Sequence, residues 1–183
     1  MRAGNTEIVI KRGDITKEEV DVIVTAANSA LVGGGGVDAA IHRAGGPAIM
    51  AELKQIVAQI KTCTPGEAVI TAAGKLKAQH VVHAVGPMWA GGKKHEAQVL
   101  ENAYYNSLVL AKEYGATTVA LPAISTGAYG YPLNLAAKIA IKAAAEFCNE
   151  HDRFTEIRFV LFTDEALAAF QQAEQEFLAG GTA

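Results

Sequence analysis

From residue 117 onward the chain alternates short β-rich runs with long stretches of helical period, and few architectures accommodate that order. Residues 117–121 read as a strand, 133–149 as an Ala-rich helix, 157–162 as a strand and 164–178 as a helix. Earlier residues give strands over 7–11, 20–24, 69–72 and 81–85. Helices are expected just after residue 36, from Pro47 to about 60, and from about 95 to 114. Pro47 suits a first helical turn because its ring fixes φ, and Gly115 suits a helix end. This alternation specifies a three-layer α/β/α domain, and the two strands that open the chain as a pair argue for a mixed sheet. The 183 residues suffice for one domain, expected over 1–179 with 180–183 as a frayed tail.

Composition narrows what such a domain does. Half of the residues are hydrophobic and 19% are charged, which marks a folded chain rather than a disordered one. A formal net charge of -3 provides no positive field to hold a polynucleotide backbone or an anionic membrane. Cys63 and Cys148 form no CxxC pair, so neither a zinc ribbon nor a disulfide framework is indicated and a reducing cytoplasm is expected. No apolar stretch reaches the length of a signal peptide core or a membrane span, so the protein is expected to stay where it is made.

Two loops carry the chemistry. Gly33-Gly34-Gly35-Gly36 runs into a helix, where residues without Cβ let backbone N–H groups approach an anion at the positive helix end. Ser125-Thr126-Gly127-Ala128-Tyr129-Gly130 follows a strand and offers hydroxyls and N–H groups to the other side of a diphosphate. A dinucleotide-binding turn fits less well: Gly34, Gly36 and Ala39 satisfy a loose GxGxxA, but five residues separate the loop from the end of the preceding strand. A phosphate-binding P-loop fails because Gly92 stands where its lysine belongs. Ser125 as a nucleophile fails because Ala123 replaces the first glycine of a GxSxG elbow.

Single residues are more ambiguous. Asp14 ends the first strand and either accepts from an exocyclic amino group or caps a turn, and Asn28 either binds a ribose hydroxyl or forms an Asx-turn. Asp38 and His42 share a helix face at i, i+4. His80 and His83, three apart in a strand, face opposite sides and do not share a metal, and no metal site is assigned.

Taken together, Gly13-Asp14-Ile15-Thr16, Ala26-Ala27-Asn28-Ser29, Gly33 to Asp38 continuing to Gly46, Val85-Gly86-Pro87 and Ile124 to Pro132 resemble the macrodomain family. The GGGGVD and STGAYGYP segments resemble its MacroD-type branch, which removes ADP-ribose from proteins. The resemblance implies a six-stranded mixed sheet between helices, with ADP-ribose at the strand ends and no cofactor. Asp14 would hold the adenine amino group and Ile15 would offer its N–H, with Phe162 as an apolar wall beside adenine. Gly34, Gly35, Gly36 and Val37 would clamp the diphosphate against Ser125, Thr126, Gly127, Ala128 and Tyr129. Asn28 would bind the distal ribose, with Ala26 of the matched segment among the contacts and Tyr129 against the sugar. The family's usual Asn three residues before Asn28 is Thr25 here, which implies changed support around that ribose rather than a lost site.

Asp38 separates enzyme from reader, because modules of this kind that only bind often lack an acid at this place. The implied reaction is attack by a water held between Asp38, Asn28 and the substrate diphosphate on an ADP-ribosyl ester of protein Glu or Asp, or on O-acetyl-ADP-ribose. The alternatives are a non-catalytic reader of ADP-ribosylated proteins and a phosphatase acting on a terminal phosphate of ADP-ribose.

Overall fold

In the computed structural model, which describes residues 1–180, seven strands join one sheet. They are β1 (Arg2–Ala3), β2 (Thr6–Arg12), β3 (Val22–Ala27), β4 (Ala68–Ala72), β5 (His80–Val85), β6 (Thr118–Leu121) and β7 (Glu156–Leu161). Five helices accompany them: α1 (Gly36–Gly45), α2 (Pro47–Ile60), α3 (Glu96–Glu113), α4 (Leu133–Glu150) and α5 (Asp164–Gly180). Each expected element forms, and the strand count exceeds six because the short β1 pairs with β2. Helix α5 reaches Gly180, and residues 181–183 of the expected tail lie outside the described residues.

The opening strands do not pair with each other. The sheet order is β1-β2-β7-β6-β3-β5-β4, so β7 and β6, made later in the chain, insert between β2 and β3. The mixed character comes from the two edges, where β1 runs antiparallel to β2 and β4 antiparallel to β5. The strands between them are parallel.

Strand alternation builds two cores. On β3, Val22 and Val24 join one core while Ile23 and Ala27 join the other, and on β5 Val82 and Ala84 divide from Val81 and Val85 in the same way. The larger core lies under α3, α4 and α5 and the smaller under α1 and α2, so the sheet is covered on both faces and the layers are α/β/α. The Ala-rich pattern of α4 is explained by this packing, since Ala136, Ala137, Ala140, Ala143, Ala144 and Ala145 are all buried. Among the described residues no helix is long and apolar enough to cross a membrane.

Because β2, β3, β5, β6 and β7 run parallel, their carboxyl ends share one edge. Strands β3 and β5 keep a register of six pairs, whereas β3 and β6 share only Val22↔Val119 and Ile23↔Ala120 before they part. The chain beyond β6 is held by buried Tyr104 of α3, whose hydroxyl donates to the Pro122 carbonyl at 2.8 Å and accepts from the Ile124 N–H at 2.9 Å. Tyr104→Phe removes both bonds and leaves the buried Pro122 carbonyl and Ile124 N–H with only their mutual bond of 3.1 Å. It is expected to lower stability by about 2 kcal/mol, read by thermal unfolding as a Tm fall of roughly 4–8 °C.

Candidate active site

Where β3 and β6 part, the sheet order reverses direction and a cleft of about 560 Å³ opens at the strand ends. Its walls are residues 26–28 after β3, 34–38 at the start of α1, Gly86 after β5, 122–129 after β6, and 160–163 with Glu165 and Ala166 around the start of α5. Ala26, Asn28, Gly34, Gly35, Gly36, Val37, Asp38, Ser125, Thr126, Gly127, Ala128, Tyr129 and Phe162 therefore line one cleft. Asp14 and Ile15 are not among its lining residues. Asp14 caps the short 3-10 turn Ile15–Lys17, its Oδ1 accepting from the Thr16 hydroxyl at 2.7 Å and the Thr16 N–H at 2.9 Å, and Ile15 is buried. The Thr16 hydroxyl bond holds the Asp14 carboxyl below the usual carboxylate range. Glu165 lines the cleft near exposed Phe162 and was missed in the sequence, where it reads as an ordinary acid in the first turn of a helix.

The cleft lining contains no Lys or Arg. Its capacity for anions rests on backbone N–H groups. Helix α1 starts at Gly36 behind the N-cap Gly35 without a side-chain cap, which leaves first-turn N–H groups of residues lining the cleft without a capping partner. Gly36 stands at φ +57°, a conformation that glycine adopts without strain. Opposite, Ser125 holds φ +68° although it carries a side chain, and its carbonyl accepts from the Tyr131 N–H at 2.9 Å. A Cβ on Gly86 would come within 2.2 Å of Ser125 Oγ and 2.5 Å of Ile124 Cγ2, so only glycine lets β5 end this close to the loop.

Asp38 is buried beneath the glycine loop. The Cβ position of Gly34 lies 3.7 Å from both Asn28 Nδ2 and Asp38 Oδ2, which places these two side chains around one bare backbone segment. Asn28 Nδ2 donates to the Gly33 carbonyl at 2.9 Å, so the amide shapes the loop and keeps a second hydrogen for another acceptor. Thr25, whose presence suggested altered support for a ribose, instead donates to Asp38 Oδ1 at 3.0 Å. Burial pushes the Asp38 carboxyl above the usual range, against the opposing pull of His42, the Thr25 hydroxyl and the Gly34 N–H.

Behind Asp38, His42 Nε2 lies 3.6 Å from Asp38 Oδ1, and the His42 and His83 rings are 6.0 Å apart. His83 stands on β5 directly across from Thr25 of β3, which is why the sequence spacing of His80 and His83 did not reveal the cluster. His83 is fully buried, its Nε2 meets the Thr71 hydroxyl at 2.9 Å, and its Nδ1 has no partner. One ligating atom from each of Asp38, His42 and His83 lies within 4.8 Å of the others, a looser limit than the roughly 3.3 Å edge of a tetrahedral zinc site. Burial, followed by the charge of His42, pushes the His83 imidazole down to about 3, which keeps it neutral.

A macro domain profile matches residues 24–140. The chain belongs to the macrodomain family. It is 51% identical over 170 residues to a macro domain-containing protein of Caldanaerobacter subterraneus, covering 93% of this chain and 97% of that one. It is 52% identical over 160 residues to the O-acetyl-ADP-ribose deacetylase of Escherichia coli, covering 87% and 90%. The Oceanobacillus iheyensis macrodomain with ADP superposes with a TM-score of 0.94 at 34% identity, over 98% of this chain and 96% of that one. A Trypanosoma brucei macrodomain in complex with ADP-ribose gives 0.81 at 34% identity, over 91% and 68%.

The buried imidazole of this macrodomain makes its stability depend on pH. Below the ordinary histidine pKa of 6.5 the unfolded chain binds a proton at His83 that the folded state refuses, so stability falls as pH falls toward about 3. Urea titrations at pH 7 and pH 5 are expected to show the wild type losing about 2 kcal/mol more than His83→Gln over that interval.

Proposed function

We propose that this macrodomain binds ADP-ribose in the cleft and hydrolyses acyl esters of it, with O-acetyl-ADP-ribose and ADP-ribose esters of protein Glu or Asp as substrates. The observation that carries the catalytic part is Asp38, 2% exposed, held under Gly34 at the cleft wall with a carboxyl that burial raises above the usual carboxylate range. A base works best when its pKa lies near the working pH. The diphosphate is received by N–H groups of residues 34–37 and 125–129, Asn28 and Tyr129 face the distal ribose, and Phe162 stands beside the adenine. Asp14 and Ile15 would reach the adenine only from the neighbouring strand end. The E. coli relative named O-acetyl-ADP-ribose deacetylase supports ester hydrolysis, and the two structures with ADP and ADP-ribose support the choice of ligand.

In the reaction one water is consumed. Its oxygen bonds to the acyl carbon or the anomeric carbon, one proton passes to Asp38 or to a diphosphate oxygen, and the ester C–O bond breaks. The products are ADP-ribose with a free hydroxyl and the carboxylic acid, acetate or a protein side chain. The held proton passes to the departing oxygen, so both hydrogens of the water end in the products and Asp38 is restored, and no redox change occurs; the acid then ionises in solvent. Water is positioned by Asn28 and Asp38, and Thr25 fixes the carboxylate orientation through its bond to Oδ1. The protein would act in a reducing cytoplasm, where the buried free thiols of Cys63 and Cys148 persist.

Two measurements test this. Asp38→Ala is expected to retain ADP-ribose binding by calorimetry and to lose about 10²–10⁴-fold in turnover of O-acetyl-ADP-ribose. Full turnover by the variant, or binding without turnover by the wild type, would leave a reader in place of an enzyme. Gly86→Ala drives a methyl into Ser125 and Ile124, and is expected to weaken ADP-ribose binding about tenfold by displacing the 125–129 loop.

A further inference from the structure

A second concavity of about 610 Å³ adjoins the cleft on the α1–α2 side and shares Gly34 with it. Its apolar floor is Val32, 67% exposed, with Pro47 and Met50, and its rim carries His42 and Arg43. Arg43 is exposed and, among the described residues, has no ion-pair or hydrogen-bond partner in the structure. Lys75 stands beside the same rim, its Cδ and Cε 3.8 Å from the Cβ position of Gly46, a lining residue. Among the described residues no acidic one lines this groove.

The junction between groove and cleft lies at the reacting end of the site. Gly34 belongs to both, Asp38 Oδ2 is 3.7 Å from its Cβ position, and His42 lies 3.6 Å from Asp38 on the groove side. When ADP-ribose fills the cleft, whatever is esterified to its distal ribose sits near Asp38 and needs a way out. A side chain at position 34 would stand beside Asn28 and Asp38 in that path, and glycine leaves it open.

We propose that this groove receives the polypeptide part of the substrate, an acidic segment around the modified Glu or Asp, with Arg43 and Lys75 meeting its neighbouring carboxylates and Val32, Pro47 and Met50 its side-chain carbons. The inference rests on the ADP-ribosyl ester reading above. It commits to an acidic peptide because the groove adjoins the cleft at Gly34, carries Arg43 on its rim with Lys75 beside it, and is lined by no acid among the described residues. Exposed charges of this kind act through encounter and salt-dependent contact.

The test is calorimetric and uses Asp38→Ala protein, so that bound ester is not consumed. The probes are free ADP-ribose and a Glu-rich peptide carrying one ADP-ribosyl ester. The peptide conjugate is expected to bind tighter than ADP-ribose, with an advantage that shrinks in added salt. Introducing Arg43→Glu or Val32→Glu, both at exposed positions, is expected to weaken the conjugate about fivefold while ADP-ribose affinity stays within about twofold. In the protein that retains Asp38, the same two changes are expected to leave O-acetyl-ADP-ribose turnover within about twofold, since acetate is too small to enter the groove. A conjugate no tighter than ADP-ribose, or variants that weaken both probes alike, would overturn the groove while leaving the cleft intact. Failure to bind ADP-ribose at all would instead overturn the functional reading on which the groove stands.

Discussion

Strands β3 and β6 exchange only two register pairs and then separate, and the functional architecture follows from that parting. Inside a parallel sheet, a gap between neighbouring strands exposes backbone groups that need other partners. On the β3 side the chain turns through Asn28 into the glycine loop and starts α1, whose N-terminal N–H groups have no capping side chain. On the β6 side it is tied back by Tyr104, which satisfies Pro122 and Ile124 from the core of α3. Two donor-rich loops thus face each other across a space that the sheet itself leaves open. The long β3–β5 register fixes one lip, and the β6–β7 register of four pairs fixes the other.

The same β3–β5 register builds the buried group beneath the cleft. Thr25 and His83 are Cα partners, and their strand parity turns both toward the smaller core, where α1 brings Asp38 and His42. A carboxylate in such surroundings is disfavoured as an anion, and a histidine as a cation. The carboxyl of Asp38 consequently moves up and the imidazole of His83 moves down. Thr25 is part of this group, since its hydroxyl donates to Asp38 from within the strand.

Elements whose cause is local were readable in the sequence. Period-2 and period-3.6 apolar patterns located the strands and helices, and the glycine run located the start of α1. Features specified by distant packing were not. The insertion of β6 and β7 between β2 and β3 depends on which faces complement each other, so the opening strands read as a pair although two strands separate them. His83 meets His42 through sheet register, and Tyr104 reaches the loop after β6 across 18 to 20 residues of chain. Asp14 carries both of the readings its sequence offered: Oδ1 caps its own turn through Thr16, while Oδ2 of this exposed carboxylate is not used by the turn.

The means of anion recognition and the state of Asp38 are physically linked. A Lys or Arg in the cleft would bind a diphosphate, but it would also pair with the nearby carboxylate and hold it ionised at low pH. Backbone N–H groups attract an anion through fixed dipoles that carry no net charge, so a diphosphate held by them, as proposed above, leaves Asp38 dominated by its burial. The free cations, Arg43 and Lys75, stand instead on the far side of Gly34, beside the groove. Solvent screens them there, and their effect on Asp38 is correspondingly weak. Separation of the two charge systems by one glycine therefore keeps positive charge away from the carboxyl that burial raises, and on the reading proposed above the same edge would take an anionic nucleotide while presenting positive charge to an acidic partner.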